Sequence, residues 1–148
     1  MMKYAKYELR LEKVKVKEDT KEYIFKDVNG AYEFARDVIE LNTLPEERFY
    51  VASINVRGKV VGYFEISKGD ISSSYAGARE VFRPAIMQNA ASIIMFHNHP
   101  SDDCMPSSED KKTTERLIEA GKILGIPVVD HIIVGGEKYF SFRAERLI

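Results

Sequence analysis

The chain has 148 residues, 45% of them hydrophobic, which is enough to bury one sizeable core without disulfides or a structural metal. Lysine and arginine total 22 against 23 aspartates and glutamates, and a net charge of -1 gives no global electrostatic footprint for nucleic acid. The single cysteine cannot form an internal disulfide and no apolar run reaches the length of a membrane span, so we expect a cytoplasmic protein that contacts no membrane.

Hydrophobic periodicity and turn residues predict strands at six places along the chain. These are Tyr7–Val16, Phe49–Val56, Val60–Ile66, Ser92–His97, Val128–Val134 and Lys138–Phe142. The intervening segments predict helices over Ala31–Leu41, Ala78–Asn89 and Ser107–Leu124. This order indicates an α+β (mixed α/β) fold with a central, mostly antiparallel sheet and flanking helices. We expect residues 1–28 to form an N-terminal strand extension packed on the same domain, and residues 29–148 to form the domain proper.

A histidine pair ends the fourth predicted strand. Side chains at i and i+2 of a strand share a face, so His97 and His99 project together while Asn98 points away. The next helix begins at Ser107, which puts Asp110 in its first turn, able to face the end of the strand. Catalytic zinc takes three such ligands and keeps a fourth position open for water. Spacing alone leaves an alternative open, because Ser107 and Asp110 also fit an ordinary helix capping box.

The pattern His97-x-His99-x7-Ser107-x2-Asp110 resembles the JAMM motif of the JAB/MPN metalloproteases. Four further segments, together with the run His97 to Ser101, resemble the RadC-like branch of that family: Arg79–Ala85, Glu119–Lys122, Leu124–Ile126 and Asp130–Gly135. The resemblance covers the chain from roughly Asn29 to its C-terminus. It implies a cytidine-deaminase-like JAB/MPN fold and hydrolysis of a peptide or isopeptide bond in a peptide or protein substrate.

The resemblance also assigns roles to individual residues. It implies one zinc per chain on His97, His99 and Asp110, and a Ser107 hydroxyl that stabilises the oxyanion. That hydroxyl cannot fully cap the helix and serve the substrate at once, so we expect one of the two roles to yield or to alternate with the other. An upstream glutamate would take the proton of the attacking water, and three positions compete for this role. Glu47 fits best, at the start of the first central strand; its neighbour Glu46 and, on the next helix, Glu80 are the alternatives.

One loop departs from the family pattern. RadC-like proteins usually continue Pro-Ser-Gly-Asp-Pro, whereas this chain has Pro100-Ser101-Asp102-Asp103-Cys104. Cys104 either packs as a small, partly buried residue or reaches the open metal position as a thiolate that shuts the site.

Two other classes of function stay open from the sequence. The chain could be a catalytically silent JAB/MPN binding module whose metal is absent or structural. It could also be an accessory protein in DNA repair or mobile-element DNA metabolism, which family association suggests and net charge does not support. The oligomeric state is not predicted.

Overall fold

The computed structural model describes residues 1–14, 21–69 and 76–148. The helices in these ranges are α1 (Val28–Phe34), α2 (Ala78–Met87) and α3 (Ser108–Leu124). The strands are β1 (Arg48–Ile54), β2 (Val60–Lys68), β3 (Ser92–Asn98), β4 (Val128–Gly135) and β5 (Lys138–Ser141). Across the described part of the chain, no helix combines the length and the apolar character that crossing a membrane requires.

The five strands form one sheet in the order β2-β1-β3-β4-β5. Strands β3 and β4 are parallel, because helix α3 carries the chain back between them, and the other three pairs are antiparallel. The predicted α+β fold with a mostly antiparallel sheet is therefore confirmed.

Each face of the sheet carries its own hydrophobic core, because side chains alternate along a strand. Helices α2 and α3 cover one face, where Phe49, Ile93 and Met95 are buried. Helix α1 covers the other face, where Ile94 and Phe96 are buried. The same alternation sends the next two side chains of β3 to opposite faces, with position 97 towards α3 and position 98 towards α1.

The N-terminal segment differs from its prediction. Residues 7–14 are exposed and form no strand, so the predicted strand Tyr7–Val16 is wrong there, and positions 15 and 16 lie outside the described residues. Alternating apolar and charged residues fit a strand only when a sheet edge is available to pair with them. Packing on the core begins later, at Tyr23 and Phe25. The predicted domain boundary after residue 28 stays a prediction.

The first helix begins and ends earlier than predicted. The side chain of Asp27 caps it by accepting a hydrogen bond from the Gly30 N–H at 2.9 Å. After Phe34 the chain continues as a π-helical turn, Ala35–Ile39, and Glu40 then ends this turn with a positive φ of 62°. Helix α3 begins where the sequence predicted, with Ser107 as its N-cap.

Candidate metal centre

The three predicted metal ligands converge at one end of the sheet. The Nε2 atom of His97 is 3.3 Å from Oδ1 of Asp110, and Nε2 of His99 is 3.3 Å from Oδ2 of the same carboxylate. The two Nε2 atoms are 3.0 Å apart. All the ligand atoms lie within 4.8 Å of one another, and no other such group of histidine, cysteine and acidic side chains occurs among the described residues. Strand β3 and the first turn of α3 therefore bring together a group positioned to bind a metal ion.

The chemistry of these donors fits a divalent metal ion. Two imidazoles and one carboxylate are a donor set that zinc and other first-row metals bind. The ring of His99 donates its Nδ1–H to the carbonyl of Asp103 at 2.9 Å, which leaves a lone pair on the Nε2 atom that faces Asp110. Two ring nitrogens at 3.0 Å need a proton or a cation between them, since two lone pairs repel at that distance. A bound metal ion satisfies both nitrogens and the carboxylate together.

Electrostatics in the metal-free cluster favour charge separation. Burial by itself raises the pKa of the Asp110 carboxyl, but hydrogen bonds with His97 and His99 outweigh burial and hold that pKa well below its ordinary value. The hydrogen bond with Asp110 raises the pKa of His99, with burial opposing it. A carboxylate that stays ionised is available as a metal ligand across the physiological range.

Ser107 and Asp110 form a capping box at the start of α3. The Asp110 N–H donates to Oγ of Ser107 at 3.0 Å, and the Ser107 N–H donates to Oδ2 of Asp110 at 2.8 Å. In this cap the serine oxygen uses a lone pair, so its hydroxyl hydrogen remains able to donate elsewhere. The expectation that the hydroxyl must alternate between capping and substrate is therefore wrong. The capping box and the metal site, which the sequence left as alternatives, are one structure.

A close backbone approach shapes the loop between the ligands. A side chain on Gly135 would place its Cβ 2.7 Å from the Cys104 nitrogen and 2.8 Å from the Asp103 carbonyl carbon. The absence of that atom lets the loop lie against the end of β4, where the His99 N–H also donates to the Val134 carbonyl at 2.8 Å. Cys104 is half-buried, and its sulfur is not one of the converging ligand atoms. The structure therefore does not place Cys104 among the candidate ligands.

The three candidate glutamates occupy different places. The pairing of β1 with β3 ends at Phe49 and His97, and Glu47 lies two residues before Phe49, just ahead of β1. Glu47 is half-buried, and its charge acts on His99. The Glu46 carboxylate is 4.0 Å from Nζ of Lys68 in an exposed ion pair. Glu80 is exposed at the start of α2.

Two buried side chains near the ligands were missed as functional residues. Asn98 lies between the histidines in sequence and points to the other face, as predicted, where its Oδ1 accepts the Arg48 N–H at 2.8 Å and its Nδ2 donates to the Glu46 carbonyl at 3.0 Å. These bonds hold the backbone on both sides of Glu47. His131, on β4, places its Nε2 2.8 Å from Nδ1 of His97. The available signal for His131 was a polar pair, Asp130 and His131, inside a strand whose other side chains are apolar, since buried polar groups need partners.

Comparison with known proteins agrees with this geometry. The model of the RadC-like JAB domain matches residues 25–147. A UPF0758 protein of Moorella thermoacetica is 45% identical over 109 residues, which are 74% of this chain and 48% of that protein. A UPF0758 protein of Clostridioides difficile is 44% identical over 108 residues, 73% of this chain and 46% of that protein.

The chain spans about half the length of the curated relatives it matches. The names of these relatives state no activity. The matched segment includes β3, the first turn of α3 and Glu47 just before β1. On the family model and on these relatives, the chain belongs to the RadC-like JAB domain family.

Proposed function

We propose that this domain is a zinc-dependent metallopeptidase that hydrolyses a peptide or isopeptide bond in a peptide or protein substrate. The observation that carries the proposal is half-buried Glu47, whose charge acts on His99, one of the three converging ligands. A carboxylate next to an open metal site is the arrangement that general-base hydrolysis requires. Exposed Ser107 at the rim adds a hydroxyl donor on the side of Asp110.

The chemistry divides among a few groups. Zinc on His97, His99 and Asp110 would supply Lewis-acid activation of a water molecule and of the scissile carbonyl. Glu47 accepts a proton from that water as the water oxygen attacks the carbonyl carbon, and then delivers the proton to the leaving amine. Ser107 donates its hydroxyl hydrogen to the carbonyl oxygen as negative charge develops on it. Water is thereby divided between the two products, an acid and an amine.

Two glutamine variants test the assignment of the base. Glu47→Gln should keep zinc and fold but lower turnover by a factor of about 10²–10⁴, because an amide cannot accept the proton of water. Glu46→Gln is the matched control, one residue away on an exposed ion pair, and should keep its turnover. The probes are quenched-fluorescent peptides and a parallel set joined through a lysine side chain. Full turnover by Glu47→Gln would exclude Glu47 as the base.

Metal content tests the ligands separately. Purified without chelator, the wild-type protein should hold about one zinc per chain and His97→Ala almost none, because losing one of three ligands removes the site. Equal zinc in the two proteins would exclude the ligand assignment. Stoichiometric zinc in a wild-type protein that cleaves neither probe set would instead favour a silent binding module.

A further inference from the structure

Hydrogen bonds connect the backbone of α3 to the ring of His97 through two buried side chains. The hydroxyl of Thr114 donates to the Asp110 carbonyl at 2.7 Å. The same oxygen lies 2.7 Å from Nδ1 of His131, and the opposite ring nitrogen of His131 lies 2.8 Å from Nδ1 of His97. Thr114, His131 and His97 are all buried. The series therefore begins and ends at two metal ligands and runs through no solvent-exposed atom.

The direction of each hydrogen bond follows from the first one. A carbonyl oxygen can only accept, so the single hydroxyl hydrogen of Thr114 points to Asp110. The oxygen of Thr114 must then accept from His131, which places a hydrogen on Nδ1 of that ring. With that hydrogen on Nδ1, the neutral ring of His131 presents a lone pair on Nε2, the atom that lies 2.8 Å from Nδ1 of His97. A metal ion on Nε2 of His97 requires the same direction, because Nδ1 of His97 would then keep its hydrogen.

The last bond determines the state of His97. Because Nε2 of His131 accepts, Nδ1 of His97 carries the hydrogen and donates it. A neutral imidazole with its hydrogen on Nδ1 has its lone pair on Nε2, which is the atom that lies 3.3 Å from Asp110. The ring of His131 is itself held in place, stacked on Phe142 with centroids 4.9 Å apart and planes at 11°.

We propose that Thr114 and His131 are positioning residues that hold His97 in the tautomer that binds the metal. Partners of this kind orient ligating histidines and raise their affinity for the metal. Here the orienting partner is a neutral histidine whose own tautomer is set by a threonine. The inference rests on the metal site of the proposed function and does not depend on hydrolysis. The competing interpretation is that Thr114 and His131 are core residues that only satisfy each other's hydrogen-bonding groups and do not affect metal binding.

Three variants separate these interpretations. Thr114→Val keeps the shape and removes the hydroxyl, Thr114→Ser restores the hydroxyl, and Thr113→Val is a matched control at the neighbouring buried threonine. Zinc affinity is measured by competition with a chromogenic chelator. We expect Thr114→Val to bind zinc about 10- to 100-fold more weakly, with Thr114→Ser and Thr113→Val close to wild type. Equal affinities of Thr114→Val and Thr113→Val would overturn the proposal.

A spectroscopic measurement needs no variant to fold. In zinc-loaded wild-type protein with ¹⁵N-labelled histidine, the proposal places a hydrogen on Nδ1 of His131 and none on its Nε2. Nitrogen–proton correlation spectra distinguish this tautomer from the other. A proton on Nε2 of His131 would overturn the proposal whatever the affinities show. The predicted tautomer in a protein that cleaves no probe would leave this inference intact and reject the peptidase function alone.

Discussion

The metal ligands and the candidate base are held in two different ways. Each ligand side chain has its own partner: the Ser107 N–H for Asp110, the Asp103 carbonyl for His99 and the His131 ring for His97. The segment that carries Glu47 is held instead through its backbone. Asn98 binds the main chain at Glu46 and Arg48, and the Gly69 N–H donates to the Glu47 carbonyl at 2.8 Å.

This difference separates two requirements of a metal-dependent hydrolase. Ligands must present lone pairs in a fixed geometry, so their side chains are the groups that are fixed. A general base must move a proton from the water to the leaving group, so its side chain needs freedom to move. Hydrogen bonds to the backbone fix the position of its Cα and leave that freedom. Both arrangements depend on β3: residue 97 is a metal ligand, and residue 98 holds the backbone beside Glu47. Substitutions on the α3 face of that strand should therefore damage metal binding, and substitutions on the α1 face should independently damage proton transfer.

Removing the Asn98 side chain is the most severe test of this separation. Asn98→Ala should lower kcat by about 10- to 100-fold, because a displacement of about 1 Å at a catalytic group has costs of that size. Zinc affinity and KM should stay close to wild type, since no ligand depends on Asn98. The free energy of unfolding should fall by about 1–3 kcal/mol, because three partly buried backbone groups, at Leu44, Glu46 and Arg48, lose their partner. Kinetics, chelator competition and urea denaturation give these quantities.

Asn55 provides the matched control. Its Oδ1 accepts the N–H groups of Arg57 and Lys59 in the turn between β1 and β2, at 3.0 and 3.1 Å, which is a similar bond pattern away from the metal. Asn55→Ala should lose stability without a fall in kcat. A loss of zinc from Asn98→Ala in proportion to its loss of activity would mean that the ligands and the base are not held separately.

The sequence predicted the ligand side far better than the base side. Strand alternation and the start of a helix are local properties, so His97, His99 and Asp110 could be placed from spacing and family resemblance. The sequence favoured Glu47 over Glu46 and Glu80 only by its position before the first central strand. Its relation to His99 depends on the pairing of β1 with β3, which joins segments about fifty residues apart.

Two other features were out of reach for the same reason. The alternating residues 7–14 predicted a strand, but periodicity cannot show whether a sheet edge is available to pair with it. The role of His131 depends on how β4 and α3 pack against β3, and its neighbours in sequence carry no sign of that packing. Local sequence patterns thus identified the candidate ligands, whereas the residues that hold those ligands could be identified only from the tertiary structure.

The stability of the metal-free protein should depend on pH through the candidate ligands. A lowered pKa for Asp110 adds stability above its unfolded value of about 4, and this stability is lost as the pH falls. A raised pKa for His99 adds stability below its unfolded value of about 6.5, and this is lost as the pH rises through the folded value. The cluster should therefore stabilise the metal-free fold most between about pH 4 and 6.5.

Urea denaturation with and without the carboxylate measures this effect. The difference in unfolding free energy between metal-free wild type and Asp110→Asn should peak in that window, at a size on the order of 1–2 kcal/mol. Zinc affinity should run the other way and increase above about pH 6.5, because the metal needs deprotonated rings. A difference that stays flat from pH 4 to 8 would mean that the histidines and Asp110 do not pair without metal.

Cys104 should give the smallest effect. Its sulfur is outside the converging ligand atoms, and the loop contributes to the site through the Asp103 carbonyl and through backbone packed on Gly135. Cys104→Ser therefore should leave zinc content and turnover at wild-type values. Gly135→Ala is the informative contrast, because its added Cβ meets that backbone at 2.7 Å and should weaken zinc binding by moving the partner of His99. Higher turnover in Cys104→Ser at unchanged zinc content would show that the thiol does reach the metal in solution. The site would then exchange between an open form and a closed form in which the Cys104 sulfur binds the metal.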